Sequence, residues 1–311
     1  MKRDVTDILR RAFESTIANW PLIAIRIAEN IVFVMIIVAS IVATIVPVAV
    51  SAGVSNWDFK HADEPAQAIA AFIVEHLPLI AWILVVASIV LLVILAIHSF
   101  VEAGSARVFV DAERAAGPAG TRPAFRVFNM ERWMQGGRAS WTTVFWIYNI
   151  VWGLGGLILL IPLILTLAAM PLASDVGPRI AIACGGLALT FVVLIPVAIA
   201  MAVLSQKAIA VAVARSTSAR ESIRAGWTEM RRDFGRHFAV AFLVIAISVG
   251  GAMAISTLAA PMRFAHSIGT APFTSILFAP GQIISSFAQS VFSAAVGLWF
   301  LAAYIGLTEE K

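Results

Sequence analysis

The chain has 311 residues, of which 60% are hydrophobic and only 13% are charged, whereas soluble domains are about 25% charged. This composition excludes a water-soluble enzyme and a secreted domain, because too little polar surface remains to cover a core. The net charge of +4 is too small for a nucleic-acid-binding protein, so no nucleic acid partner is expected.

Six charge-free runs follow one another along the chain, and each can hold a helix that crosses about 30 Å of hydrocarbon. They comprise residues 30–56, 77–101, 139–174, 180–206, 237–262 and 264–308. The first run is much longer than a signal-peptide core, so it is expected to stay in the mature protein. The sequence predicts an all-α, polytopic membrane protein with six transmembrane helices, forming a single membrane domain over residues 1–311.

Prolines and glycines interrupt two of these runs. Pro162 and Pro171 predict that the third helix bends and then leaves the membrane. Residues 264–280 contain two prolines and a glycine, so this interval is either part of the sixth run or an interfacial or re-entrant segment.

Basic residues are concentrated in alternate connecting segments. If the six spans alternate, 18 of the 22 lysines and arginines lie on the side of the amino terminus. By the positive-inside rule, both termini are expected in the cytoplasm.

Three of the basic segments are predicted to form amphipathic helices at the membrane interface, each leading into a span. The first has Asp4 as its expected cap and an apolar stripe of Val5, Ile8, Leu9, Ala12 and Phe13. The second carries Phe125, Phe128, Trp133 and Met134. The third opens with a capping box, Ser218 and Glu221, followed by Ile223, Trp227, Met230 and Phe234.

An amphipathic helix followed by two spans recurs three times, which suggests repeat units 1–106, 121–210 and 216–308. Any six-span protein would show part of this pattern by chance, so an architecture without repeats is the alternative.

Arginines on the amphipathic segments are the predicted contacts for anionic headgroups on the cytoplasmic side, or for a protein partner. They are Arg10, Arg11, Arg126, Arg132, Arg220, Arg224, Arg231 and Arg232.

The third amphipathic segment also carries a family resemblance. Residues 220–238, which read RESIRAGWTEMRRDFGRHF, resemble the cytoplasmic helix of bacterial six-span proteins grouped with the membrane domain of glycerophosphoryl diester phosphodiesterase. Residues 7–13 and 299–308 are similar in style to that group. The resemblance implies a six-helix fold in the bacterial inner membrane, and it carries over no catalytic residue, because catalysis in those enzymes belongs to a separate soluble domain.

Two sets of polar residues lie within the apolar runs or directly beside them. Alternating topology places the first set at one depth near the inner face, as a candidate polar cluster of Arg26, Glu29, Asn30, His98, Glu102, Asn149 and His237. The second set forms a stripe on one face of the sixth run, a candidate pathway lining of Gln282, Ser286, Gln289 and Ser293. The alternatives are side chains that reach toward the headgroups and hydrogen bonds between helices, respectively.

Enzyme motifs and metal-binding spacings are absent from the sequence, so no catalytic residue, cofactor or metal is expected. Glycines in the apolar runs are expected to let helices approach closely: Gly153, Gly155, Gly156, Gly185, Gly186, Gly250 and Gly251. The sequence favours a non-enzymatic scaffold or accessory protein that binds lipids and a partner. The alternatives are a transporter or channel for a small solute and a lipid-modifying membrane enzyme.

Overall fold

The computed structural model describes residues 3–51, 77–118, 120–172, 175–268 and 272–310. Within its helices, the side chains of residues 45–51, 171, 176, 259, 261–268 and 272–282 lie outside the description. The described ranges contain helices and no strand. The α-helices are α1 (Val5–Ala18), α2 (Pro21–Ser51), α3 (Leu77–Ala116), α4 (Met130–Ala169), α5 (Val176–Arg215), α6 (Ala219–Arg232), α7 (Phe234–Ile268) and α8 (Pro272–Thr308).

Six of the described helices are long and apolar enough to cross a membrane. The candidate spans are Pro21–Thr44, Leu77–Ala116, Met130–Ala169, Gly177–Arg215, Phe234–Leu258 and Ile283–Thr308. In the most apolar stretch of α3, no residue is buried within the protein, as expected for a surface that lipid covers. The predicted all-α, six-span fold class is confirmed, and the six helices support a multi-pass membrane protein.

The intervals with prolines are helical where the structure describes them. Helix α4 continues through Pro162 to Ala169, and the hydroxyl of Thr166 donates to the carbonyl of Pro162 at 2.7 Å. Helix α7 extends to Ile268 and α8 begins at Pro272, so the described parts of residues 264–280 are helical. These parts belong to α7 and α8, which carry the fifth and sixth candidate spans.

The chain divides into two units, Met1–Ile25 with Ser99–Lys311, and Arg26–His98. In the first unit α4 packs along α5 and α7 packs along α8, while α5 also contacts α6 and α8. The second unit contains most of α2 and the first half of α3.

Helix α1 packs on α8 through its predicted apolar stripe. Asp4 caps the helix, accepting from the backbone N–H of Val5 at 2.8 Å. Ile8, Leu9 and Ala12 are buried, and Nε1 of Trp299 donates to the carbonyl of Leu9 at 2.8 Å. The stripe therefore contacts protein at its centre.

Helix α6 shows the predicted capping box, with Ser218 and Glu221 each accepting from the other's backbone N–H. Its buried face consists of Ser222, Gly226 and Met230, spaced four residues apart. A Cβ atom at Gly226 would lie 3.3 Å from the backbone nitrogen of Ala208, so the absence of a side chain lets α6 lie close on α5.

The second predicted amphipathic stretch is not a separate helix. A 3-10 turn, Arg122–Phe125, is followed by extended chain, and Asn129 then caps α4 by accepting from the backbone N–H of Glu131. Trp133 and Met134 thus belong to the same continuous helix as the third span.

Candidate functional site

Lys207 joins three helices at the carboxyl end of α5. Its side chain is 1% exposed, and its Nζ lies 2.8 Å from a carboxylate oxygen of Glu229 on α6. The same nitrogen donates to the hydroxyl of Thr308 on α8 at 2.9 Å. Arg215 also reaches Glu229, at 2.6 Å. A buried ammonium needs such partners because desolvation is costly, so this cluster holds α6 in place.

Arg236, in the first turn of α7, binds the carboxyl-terminal segment. Its guanidinium makes a bidentate pair with Glu310, with distances of 2.6 and 2.7 Å. It also donates to the backbone carbonyl of Arg3. The amino-terminal segment, α7 and the residues after α8 therefore meet at one guanidinium.

His237 follows Arg236 and is 4% exposed. Its Nδ1 lies 3.0 Å from the carbonyl oxygen of Asp233, and because a carbonyl only accepts, Nδ1 must carry a proton. Its Nε2 is buried and has no hydrogen-bond partner among the described residues. Tyr304, fully buried on α8, donates to the carbonyl of His237 at 2.9 Å.

Lys207, Arg236 and His237 are among the residues that line a cavity of about 410 Å³, here called the polar pocket. Its lining comprises Lys207, Arg215, Glu229, Arg232, Asp233, Arg236, His237, Leu307, Thr308 and Glu310. Four cations thus face three carboxylates, which leaves the pocket with a positive excess.

The ionisation of Glu229 depends on this cluster. Partial burial alone would raise the pKa of its carboxyl, but hydrogen bonds and charges from Lys207 and Arg215 outweigh burial and hold the pKa below its ordinary value of 4.5. The carboxylate is therefore the favoured form in the folded protein.

An apolar groove of about 470 Å³ adjoins the polar pocket, and His237 lines both. The other residues of the groove are Ile195, Pro196, Ile199, Ala200, Val203, Trp227, Met230, Arg231, Phe234 and Phe238. The guanidinium carbon of Arg231 lies 6.0 Å from the ring centre of Trp227. The groove therefore has an aromatic and basic edge on α6.

Six of the eight arginines predicted to face headgroups are exposed and have no carboxylate partner among the described residues. They are Arg126, Arg132, Arg220, Arg224, Arg231 and Arg232. Arg10 is exposed and lies 3.2 Å from Asp7 on its own helix. Arg132 also lines a cavity of about 560 Å³ together with Arg107 and Arg114.

Arg11 corrects the prediction, because its side chain is only 7% exposed. It lies 2.9 Å from Glu113, donates to the carbonyl of Gly117 at 2.7 Å and covers the ring of Phe125. It thus sits inside the protein as a structural cation and does not belong to the headgroup face.

The candidate polar cluster falls into the two units. In the second unit, Arg26 lies 2.8 Å from Glu29, and Nδ1 of His98 lies 2.9 Å from the same carboxylate. Nδ1 of His98 also lies 3.1 Å from Arg26, so it accepts from Arg26 or donates to Glu29, according to its tautomer. Asn30 is exposed.

The remaining members of that cluster lie in the first unit with different partners. Glu102, 1% exposed, accepts from Gln206 at 3.1 Å. Asn149 donates to the carbonyl of Phe145 in its own helix at 2.9 Å. Only His237 lines the polar pocket.

In the predicted pathway stripe, Ser286 and Ser293 are exposed, and Gln289 is partly buried. Oε1 of Gln289 has no hydrogen-bond partner within the described part of the chain. The side chain of Gln282 lies outside the described residues.

Sequence reasoning missed most of the polar pocket, including Glu229, Arg236 and Glu310, and it also missed Tyr304, which donates to the carbonyl of His237. The available signal was Lys207, a cation directly after the apolar run 180–206, since such a charge needs a partner. Its partner Glu229 lies in a different helix, which periodicity within one helix cannot indicate.

Comparisons with known proteins found no matching family model, no matching curated protein and no matching solved structure. The family resemblance of residues 220–238 therefore stays a prediction.

Proposed function

We propose that this chain is a non-enzymatic scaffold or accessory protein of the bacterial inner membrane. Its termini, α1 and α6 lie on the cytoplasmic side, where exposed arginines bind anionic lipid headgroups and remain available to a protein partner. The family resemblance to six-span bacterial membrane proteins is part of this proposal.

The observation that carries the proposal is the division of the arginines into two groups. Arg11 is buried and Arg236 is partly buried, and both are paired with carboxylates, whereas the exposed arginines of α6 have no carboxylate partner among the described residues. Exposed aromatic residues accompany them, namely Trp227 on α6 and Phe234 at the start of α7. Basic and aromatic side chains on one amphipathic helix are typical of segments that lie in an anionic headgroup layer.

A lipid-selectivity measurement tests the proposal. The purified protein is reconstituted into nanodiscs with equal amounts of phosphatidylglycerol and phosphatidylcholine, and the lipids retained after detergent extraction are measured by mass spectrometry. Replacing Arg220, Arg224, Arg231 and Arg232 by Gln is expected to lower the preference for phosphatidylglycerol about tenfold or more, since each cation near the surface contributes about 1 kcal/mol.

The matched control replaces the same four arginines by Lys, which keeps the charge and is expected to keep most of the preference. A correctly folded Gln variant with the selectivity of the unmodified protein would contradict the proposal.

A further inference from the structure

The apolar groove on α5, α6 and α7 adjoins cations that no carboxylate neutralises among the described residues. Its volume of about 470 Å³ lies within the range of small-ligand sites, about 300 to 1,000 Å³. Its apolar lining includes Ile199, Val203 and Phe238. Arg231 lies at the groove, and Arg232 lines the adjoining polar pocket.

The groove is lined by residues of two candidate spans on one side and by α6 on the other. Ile195 and Val203 belong to the candidate span Gly177–Arg215, and Phe238 to the span Phe234–Leu258. Trp227 and Arg231, by contrast, belong to α6, which is not one of the six candidate spans. An occupant must therefore be apolar along most of its length and anionic at one end.

A buried polar atom gives a second reason to expect a polar end group nearby. His237 lines both cavities and is 4% exposed, yet its Nε2 has no hydrogen-bond partner among the described residues. Because Nδ1 carries the proton, Nε2 of the neutral ring can only accept, so a hydroxyl of a lipid headgroup, and not a phosphate oxygen, would satisfy this unpaired nitrogen.

We propose that one anionic phospholipid binds here, with an acyl chain in the apolar groove and its phosphate between Arg231 and Arg232. The inference rests on the proposed function. That function is a general attraction of the exposed arginines for anionic lipid, and the inference adds one defined binding site. Acyl chains are the abundant apolar partner at this depth, and the positive excess of the polar pocket complements a phosphate.

The test is native mass spectrometry of delipidated protein in detergent, titrated with dioleoyl-phosphatidylglycerol, with dioleoyl-phosphatidylcholine, or with glycerol 3-phosphate as the free headgroup. We expect one phosphatidylglycerol per chain, bound at least about tenfold more tightly than phosphatidylcholine, because two cations contribute. Glycerol 3-phosphate that binds as tightly as the lipid would overturn the acyl-chain assignment.

Variants that fill the groove distinguish binding at this site from general attraction of anionic lipid to the arginines. Ala200→Trp places a large ring in the groove from an exposed position and is expected to weaken phosphatidylglycerol binding about tenfold or more. Ala188→Trp, at an exposed position of the same helix outside the groove lining, is the matched control and is expected to bind normally. Ile195→Trp, at a 61% exposed groove position, serves as a second filling variant if the first does not fold.

The outcomes distinguish the inference from the proposed function. If a folded groove-filling variant binds phosphatidylglycerol like the unmodified protein, the defined site is overturned, while lipid selectivity lost with the four arginines would still support the proposed function. If the unmodified protein shows no preference for phosphatidylglycerol in either assay, both are overturned.

Discussion

The guanidinium of Arg11 is enclosed on several sides by groups from other segments. The carboxylate of Glu113 and the carbonyls of Gly117 and Pro118 accept its hydrogen bonds, and the ring of Phe125 lies under it, 5.1 Å from the guanidinium carbon. Glu113 also pairs with Arg3. One buried carboxylate thus pairs with two cations of the amino-terminal segment.

Glu113→Gln is therefore expected to destabilise the protein by about 3 kcal/mol or more, because it leaves a buried arginine without its counter-charge. Unfolding in detergent, followed by circular dichroism, measures the loss. Glu131→Gln is the matched control, since Glu131 is exposed and, within the described part of the chain, its side chain accepts only from Gln135, at 3.2 Å. A change within about 0.5 kcal/mol is expected there. Equal effects of the two substitutions would contradict the role given to Glu113.

Sequence reasoning placed Arg11 on the exposed face because its helix periodicity was the only available guide. The three-and-four spacing correctly indicated that Ile8, Leu9 and Ala12 are buried. It could not indicate Glu113, which is 102 residues away along the chain. Contacts within a helix follow from periodicity, whereas ion pairs between helices depend on packing that one sequence does not contain.

At the scale of helices, the glycines also show that contacts between helices cannot be predicted from one sequence. Of the seven glycines expected at helix contacts, Gly155, Gly186 and Gly251 have side chains of neighbouring helices against them. The other four meet nothing within 4 Å in the part of the chain that the structure describes. Gly104 was not predicted, yet a Cβ atom there would lie 2.6 Å from Nε1 of Trp133 and 2.8 Å from its carbonyl oxygen. Sequence identifies glycines in a span but does not show which face meets a partner.

Gly104→Ala and Gly153→Ala should consequently have different effects. The first forces a methyl group against the indole and backbone of Trp133, and we expect a loss of about 1 to 3 kcal/mol. The second adds a methyl group where nothing lies within 4 Å, so it should be neutral or slightly stabilising through helix propensity. Thermal unfolding in one detergent compares them. A Gly104→Ala protein as stable as the Gly153→Ala protein would show that α3 and α4 do not pack as described.

The amphipathic segments were predictable as patterns but less so as separate helices. The capping box at Ser218 is confirmed because its two reciprocal hydrogen bonds are local. Pro21 follows the break between α1 and α2, and Asp233 alone separates α6 from α7. No such break follows Met130, so the second segment continues into its span. The three-repeat prediction stays a prediction.

Helix α6 should loosen as the pH falls, because Glu229 connects it to Lys207 on α5. The pKa of Glu229 is below its ordinary value of 4.5 in the folded protein, so its contribution to stability is complete above about pH 4.5 and is lost as the pH falls through the lower, folded-state pKa. Hydrogen exchange of α6 in detergent at several pH values measures this.

Glu229→Gln is expected to increase exchange of α6 at pH 7 and to flatten the dependence below pH 4.5. Glu131→Gln, an exposed glutamate on another helix, should keep the acid dependence of the unmodified protein. If hydrogen exchange of α6 in the Glu229→Gln protein still depends on pH as in the unmodified protein, a group other than Glu229 causes the effect.

Across the whole molecule, the buried pairs and the exposed arginines occur at the same end of the first unit's helices. The end of α5 carries Lys207, and the segment after α8 carries Glu310, which binds Arg236. Helix α6 exposes arginines beside this cluster that have no carboxylate partner among the described residues. The pairs of Lys207 and Arg215 with Glu229 hold α6 against α5, so the lipid binding that we propose for the arginines of α6 depends on these structural charges.

The proposed orientation can be tested with single cysteines, because Cys184 is the only cysteine in the chain. In a Cys184→Ala background, Thr228→Cys places a thiol at an exposed position of α6, and Leu172→Cys places one at an 86% exposed position after α4. The positive-inside rule puts α6 in the cytoplasm and Leu172 outside.

A membrane-impermeant maleimide applied to cells with a permeabilised outer membrane should therefore label the Leu172→Cys protein at once and the Thr228→Cys protein only after lysis. The Cys184→Ala protein without a new cysteine gives the background. Labelling of Thr228→Cys before lysis would place the arginines of α6 away from the anionic cytoplasmic leaflet, and the lipid-binding role proposed for them would then lose its electrostatic basis.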